Sequence, residues 1–94
     1  MPDSFPAWVS EAAIQKLCQV QRGIAAEPRC LRFFVSATGE LGFDRDSPRP
    51  GDHRIELELG ELLIDSLSLR RLEGRRLHYR VVDGEGGRFE IERA

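Results

Sequence analysis

The spacing of apolar residues changes once along this chain, and that change constrains the fold more than any other feature. In residues 10–22 the apolar side chains recur every three to four positions, with Ile14 and Leu17 on one face. This spacing predicts an amphipathic helix. Further along, Phe33 and Val35 belong to an alternating pattern of period two, which predicts a strand. The chain is therefore expected to place one helix on a sheet.

The ends of the predicted helix carry recognisable signals. Ser10 is a favourable N-cap, Glu11 complements the positive end of the helix dipole, and Gly23 suits the C′ position. Val9 and Ile14 can form a hydrophobic staple across the helix start. The face expected to lie on the sheet consists of Ala13, Ile14, Leu17, Cys18 and Gln21.

The rest of the chain divides into short strands, two turns, a loop and a short helix. We expect strands at residues 31–37, 54–59, 61–65, 76–82 and 88–92, with a further short strand from Phe43. A glycine-bracketed turn spans 38–42, a Pro-containing loop 44–52, a helix 66–72 and a hairpin turn 83–87. Inward positions are predicted at Ile55, Leu57, Leu59, Leu77, Tyr79, Val81, Phe89 and Ile91. The predicted fold class is mainly β with one N-terminal helix (α+β), as one domain over residues 1–94.

Several positions have a predicted structural role. Phe34, on the second face of its strand, suggests a strand covered on both sides. Asp65 and Ser68 are expected to cap the short helix, and Gly39 and Gly42 are expected to supply positive φ in the turn. Gly74 is expected to end the short helix, and Trp8 to cover the start of the first helix.

Composition excludes several classes of protein. The 94 residues are 40% hydrophobic and 32% charged, with a net charge of −2, so no global field draws the chain to nucleic acid or membranes. There is no apolar run of membrane-spanning length, and residues 1–4 do not resemble a secretory signal. A cytoplasmic location is expected, in which Cys18 and Cys30 stay free thiols.

No catalytic arrangement is readable, and we do not expect an enzyme. The two imidazoles, His53 and His78, lie beside a Pro/Gly loop and on the polar face of a strand, where solvated surface histidines are expected. The glycines of residues 84–87 join two strands and do not open a helix, so they are no nucleotide fingerprint.

The sequence also allows two alternative ligands, a metal ion and nucleic acid. A metal ion could in principle use Glu40, His53, Glu56, Glu58 and His78, but nothing in their spacing demands it. Nucleic acid could use the basic cluster Arg70, Arg71, Arg75, Arg76 and Arg80. The flanking Glu73, the inward position of Tyr79 and a pI near 5.7 argue against this partner.

The order of several short motifs indicates a resemblance to a known family. These are Leu31-Arg32-x-x-Val35, Gly39-x-x-Gly42, Asp65-x-x-Ser68-x-x-x-Leu72-x-Gly74, Leu77-x-Tyr79 and Gly87-x-Phe89-x-Ile91. In this order the chain resembles the IscA/SufA/HesB family, the A-type carriers of iron–sulfur cluster assembly, over residues 8–91. The resemblance implies a compact β-sandwich or barrel-like fold.

The chain departs from that family at the cluster ligands. The family holds its cluster with one cysteine in the glycine-bracketed turn and two in a C-terminal Cys-Gly-Cys tail. Here Glu40 takes the first position, and the sequence ends at Ala94 without such a tail. Cys18 is expected to face the core, and Cys30 opens a strand at the end opposite Glu40. Because clusters are held by thiolates, no cofactor and no metal ligand are expected.

The resemblance implies a degenerate family member similar to the DsrR type. The expected function is a non-catalytic protein-interaction or regulatory module, linked to sulfur oxidation or iron–sulfur metabolism. The alternative is a carrier of clusters or iron that uses atypical ligands. The candidate interaction surface is Gly39, Glu40, Leu41 and Gly42; the protein partner is unknown, and a homodimer is compatible with the family.

Overall fold

A computed structural model of the chain describes residues 6–84 and 86–93. The elements in these ranges are α1 (Glu11–Arg22), β1 (Leu31–Val35), β2 (Leu41–Arg45), β3 (His53–Glu56), β4 (Glu61–Ile64), α2 (Ser66–Arg71), β5 (Arg75–Val82) and β6 (Gly86–Arg93). The predictions for the first four residues, for Glu85 within the hairpin turn and for Ala94 lie outside the described residues.

Helix α1 begins where the sequence predicts. The Ser10 side chain accepts a hydrogen bond from the Ala13 amide at 3.1 Å, which satisfies one of the free donors of the first turn. The buried residues of the helix are Ala13, Ile14, Leu17 and Gln21, and Cys18 is half-buried. Gly23 closes the helix with φ −85°, so the left-handed C′ conformation expected there is not used.

A four-stranded sheet has the order β2-β1-β4-β3. Its central pair, β1 and β4, is parallel, and the outer pairs are antiparallel. Strand β1 ends at Val35, short of the predicted 37, and β2 takes in Leu41 and Gly42 from the predicted turn and Asp44 and Arg45 from the predicted loop. The antiparallel register explains this extension, because every residue of β1 has a partner in β2.

The second face of β1 is only partly covered. Arg32 is buried there and Leu63 of the neighbouring strand is fully buried, but Phe34 is 37% exposed. The loop between β2 and β3 provides the cover, since Arg32 hydrogen-bonds Asp46, Ser47 and Asp52. The expectation of a strand covered on both sides therefore holds beside Arg32 and is wrong at Phe34.

Helix α2 provides hydrogen-bond partners for the end of β1, beyond the residues that pair with β4. Asp65 caps α2 as predicted, accepting from the Ser68 amide. Ser68 is not a cap: it is 3% exposed, and its hydroxyl accepts a hydrogen bond from the Val35 amide at 3.0 Å. Arg71 donates to the Val35 carbonyl at 2.8 Å. Two side chains of α2 thus satisfy backbone groups for which β4 supplies no partner.

Strands β5 and β6 form a separate antiparallel hairpin. The predicted cross-strand charge pairs are present, with Arg76 at 2.7 Å from Glu92 and Arg80 at 2.6 Å from Glu90. The inward assignment of Val81 is wrong, because Val81 is 73% exposed. It pairs with a glycine near the hairpin end, where no core side chain faces it across the strand.

The strand containing Leu57 and Leu59 is shorter than predicted. Strand β3 ends at Glu56; Leu57 is buried, but Leu59 is 41% exposed. Residues 57–60 form a tight connection in which the Leu57 amide donates to the Gly60 carbonyl, and this turn breaks the alternation that placed Leu59 inward.

A row of aromatic rings joins the two sheets. Trp8 stacks on Phe33, Phe33 on Phe43, and Phe43 lies 4.8 Å from Phe89 between ring centroids. Tyr79 contacts Phe89 edge to face. The mainly β fold with one main helix is confirmed, and the two sheets remain separate without closing into a barrel. Neither helix of the described part is long and apolar enough to cross a membrane.

Candidate functional site

The candidate site is the turn between β1 and β2. The Ser36 amide donates to the Glu40 carbonyl at 2.8 Å, and the Gly39 amide donates to the Ser36 carbonyl at 2.9 Å. The Ser36 hydroxyl accepts from the Glu40 amide at 3.0 Å and lies 3.0 Å from the Thr38 hydroxyl. These bonds hold the turn in one conformation and leave the side chain of Glu40 exposed to solvent.

The two glycines of the turn serve different purposes. Gly39 has φ +87°, a left-handed conformation that side chains disfavour, so its predicted positive φ is confirmed. Gly42 does not have positive φ, and that expectation is wrong. A Cβ atom at Gly42 would overlap the ring of Phe34 on the paired strand, so here glycine provides room for a cross-strand aromatic side chain.

Cys30 and Glu40 lie beyond opposite ends of β1. Cys30 immediately precedes β1, and Glu40 follows it beyond the other end. Six residue steps separate Cys30 from Ser36, the residue hydrogen-bonded to Glu40, which at about 3.3 Å per step is about 20 Å. Cys18 lies on α1, packed against the core. Both thiols are free. The turn therefore presents one carboxylate and no thiolate, which does not fit the thiolate set that an iron–sulfur cluster requires.

The residues of the metal alternative are not brought together. Within the described ranges, no three His, Cys, Asp or Glu side chains form a group that could hold a metal ion. His53 lies 3.3 Å from the Ser66 hydroxyl, and Glu58 pairs with Arg22 at 2.7 Å. The Arg22 hydrogen bond lowers the pKa of the Glu58 carboxyl.

His78 is not the solvated histidine that the alternation predicts. It is half-buried, and its Nδ1 lies 2.8 Å from the hydroxyl of Ser10, the N-cap of α1. The position next to the start of α1 explains the difference, since the backbone of Ser10 hydrogen-bonds the neighbouring residue of β5, Leu77. This histidine therefore ties the hairpin to the helix.

The basic cluster is partly occupied by internal contacts. Arg71 and Arg75 donate to backbone carbonyls, Arg76 pairs with Glu92, and Arg80 pairs with Glu90. These interactions spread the guanidinium groups over a helix and a hairpin.

Sequence reasoning missed a buried charge network under the sheet. Arg32 Nε donates to Asp46 at 2.7 Å, and its two Nη atoms donate to Asp52 at 2.7 Å each. The Asp52 side chain is 4% exposed. Hydrogen bonding from Arg32 lowers the pKa of Asp52 to about 2. The available signal was an arginine on a central strand followed by a loop with several aspartates.

Comparison with known proteins bears on the fold. The sequence matches no protein-family model and no curated protein. The structure is similar to a crystal structure of IscA with a [2Fe–2S] cluster, with 27% identity, a TM-score of 0.59, and coverage of 92% of this chain and 83% of that one. It is also similar to a solution NMR structure of a protein from Aquifex aeolicus, with 30% identity, a TM-score of 0.60 and full coverage of both chains.

Proposed function

Since this chain belongs to the IscA/HesB-like family, we propose that it works in iron–sulfur metabolism as a protein-binding or regulatory module and not as a cluster carrier. The observation that carries the proposal is the site at the end of β1. The ordered turn exposes the carboxylate of Glu40 to solvent, and Ser36, which hydrogen-bonds Glu40, lies about 20 Å along the strand from Cys30.

The ligand chemistry supports a change of role. A cluster needs several soft thiolate ligands converging on its irons, whereas Glu40 offers hard oxygen atoms from a single residue. A cluster or iron carrier with atypical ligands would have to assemble donors from elsewhere, and the described residues do not gather three suitable side chains. No step of the proposed activity therefore passes through a bound metal.

The scaffold supports binding through the turn. Its backbone is fixed by the Ser36 hydrogen bonds on one side and by the α2 contacts to Val35 on the other. A rigid, exposed loop on a packed sheet is the usual setting for recognition, because little conformational entropy is lost on binding. The proposed role is non-catalytic, and the proposed location is the cytoplasm. The link to sulfur oxidation comes only from the resemblance to DsrR-like members.

A charge reversal in the turn tests the proposal. Glu40→Arg alters the exposed carboxylate, while the turn hydrogen bonds of residue 40 use its backbone. The tagged protein would be expressed in its native host, and its specific partners quantified by mass spectrometry. We expect Glu40→Arg to deplete at least one partner about tenfold, whereas Asp83→Arg, the same charge change at an exposed residue after β5, leaves it bound. Equal recovery with both variants would contradict the proposal.

A further inference from the structure

An open groove of about 420 Å³ lies between the segment before α1 and helix α2. Its floor is mostly apolar and includes Trp8, Leu69 and Leu72. A volume of this size accommodates one or two large side chains of a bound segment. The groove is separate from the Glu40 turn, because none of residues 36–42 lines it.

The rim of the groove carries unbalanced positive charge. Arg70 and Arg75 line it together with one acid, Glu73. Both arginines are exposed, and across residues 6–84 and 86–93 neither forms an ion pair with an acidic side chain. Most other arginines of this part of the chain are paired with aspartate or glutamate. The rim is therefore locally positive on a chain whose net charge is −2.

We propose that this groove binds an acidic segment of a partner protein, with an apolar side chain against Trp8 and Leu69 and carboxylates on Arg70 and Arg75. Tryptophan and arginine around an apolar floor are the residue types that carry most binding energy at interfaces, and an arginine fork pairs well with a carboxylate. The inference rests on the proposed protein-binding function and adds a surface and a partner chemistry to it.

A second copy of the chain fits the groove less well. The stretch beside exposed Leu59 is acidic, but two of its acids are already neutralised within the chain. Glu58 pairs with Arg22, and Glu61 pairs with Arg54, each at 2.7 Å. Docking this stretch onto the rim would require those pairs to break, so an acidic segment with free carboxylates on another protein is the better match.

The groove contains its own reporter, because Trp8 is the only tryptophan of the chain. The probe is a short synthetic peptide of leucine and glutamate residues without tryptophan, titrated into the full chain at low salt. We expect a saturable blue shift of the Trp8 emission. A matched peptide with glutamine in place of glutamate should bind about tenfold more weakly, because it lacks the charges that the rim attracts.

Charge reversal on the rim locates the binding. Arg70→Glu and Arg75→Glu should each weaken binding of the acidic peptide about tenfold. Arg88→Glu, an equal charge change on the exposed hairpin, should leave the affinity unchanged. Both rim side chains are exposed, so the variants should fold, and unchanged circular dichroism would verify this.

Three results would overturn the inference: no saturable shift with the acidic peptide, equal affinity for the glutamine peptide, or equal loss in Arg88→Glu. A Trp8 shift that grows with protein concentration alone and disappears in Arg70→Glu would also overturn it in favour of self-association. Failure of the proposed function is distinguishable. If the chain takes up a cluster but still binds the acidic peptide, the proposed function is refuted and the groove inference stands. If partner binding depends on Glu40 but the chain does not bind the peptide, only the groove inference is refuted.

Discussion

At the scale of single residues, Arg32 connects its strand to both ends of the loop between β2 and β3. It lies on a central strand and holds Asp46 and Asp52 at the two ends of the loop that follows β2. A buried arginine is costly to desolvate, and the arrangement is stable only because both carboxylates and a backbone carbonyl share its donors. The network closes the loop over the second face of the sheet.

The network predicts loss of stability in acid. The folded-state pKa of Asp52, about 2, lies below its ordinary value of 3.8, so the folded protein holds this carboxylate ionised more strongly than the unfolded chain. The resulting contribution, about 2 kcal/mol, is fully present above about pH 5 and is lost as the pH falls through about 2. Urea unfolding from pH 7 to pH 2 measures it.

The matched variants are Asp52→Asn and Asp44→Asn. Asp52→Asn should destabilise the fold by about 2–3 kcal/mol at pH 7 and flatten the acid dependence. Asp44 is exposed, so its replacement should change stability by less than about 0.5 kcal/mol. An unaltered acid slope in Asp52→Asn would show that this pair is not the source.

A glycine pair tests the backbone of the turn. Gly39→Ala forces an alanine into φ +87° and should cost about 1 kcal/mol of unfolding free energy. Gly23 has φ −85°, with only ordinary contact distance to a new Cβ atom, so Gly23→Ala should be neutral or stabilising by about 0.5 kcal/mol. Thermal unfolding of both variants measures the difference, and equal effects would refute the conformational assignment.

At the scale of elements, the main feature is the way α2 completes β1. The parallel neighbour β4 pairs only with the start of β1, and Ser68 and Arg71 take over at Val35. This junction fixes the end of the strand from which the Glu40 turn emerges. The rigidity of the candidate site therefore depends on α2, a helix of six residues. The hydrogen bonds of Glu40 itself are made to Ser36 and not to this helix.

Removal of one hydroxyl tests this junction. Ser68→Ala leaves the buried Val35 amide without its acceptor and should cost about 1–3 kcal/mol. It should also speed hydrogen exchange at Val35. Ser66→Ala removes an exposed hydroxyl with a long contact to His53 and should cost less than about 0.5 kcal/mol. The account of α2 is wrong if the two alanine variants have the same stability and exchange.

The order of elements was predictable because it depends on local signals. The N-caps Ser10 and Asp65 and the alternating pattern of the hairpin lie within short windows of sequence, and the structure has them in place. The misses involve contacts across the fold. Leu59 and Val81 continue an alternating pattern beyond the reach of the core, and Ser68 resembles a cap until its distant partner Val35 is known.

At the candidate site, the sequence predicted the turn and its departure from the family but not its surroundings. Glu40 and the left-handed Gly39 follow from the motif Gly39-x-x-Gly42, whereas the role of Gly42 depends on Phe34 across the pair. The groove beside Trp8 joins residues about sixty positions apart, so no local pattern indicates it.

At the scale of the whole molecule, the chain combines the IscA-like fold with a turn that lacks a thiolate. In the proposed function, two surfaces of the scaffold, the turn at Glu40 and the groove at Trp8, bind partner proteins in place of cluster transfer. Both surfaces lie on segments fixed by side-chain hydrogen bonds or aromatic stacking.

The most direct test of this central claim is anaerobic reconstitution of the full chain with iron and sulfide, read by visible absorbance and by iron and sulfide content per chain. An IscA reconstituted in parallel is the positive control. The account predicts a colourless chain without stoichiometric iron, because Glu40 offers no thiolate and Cys30 lies about 20 Å along the strand from Ser36, the residue that hydrogen-bonds Glu40. Stable sulfur-to-iron charge-transfer absorbance with stoichiometric iron would contradict the account, and Cys18, Cys30 and Glu40 would then be the first residues to replace.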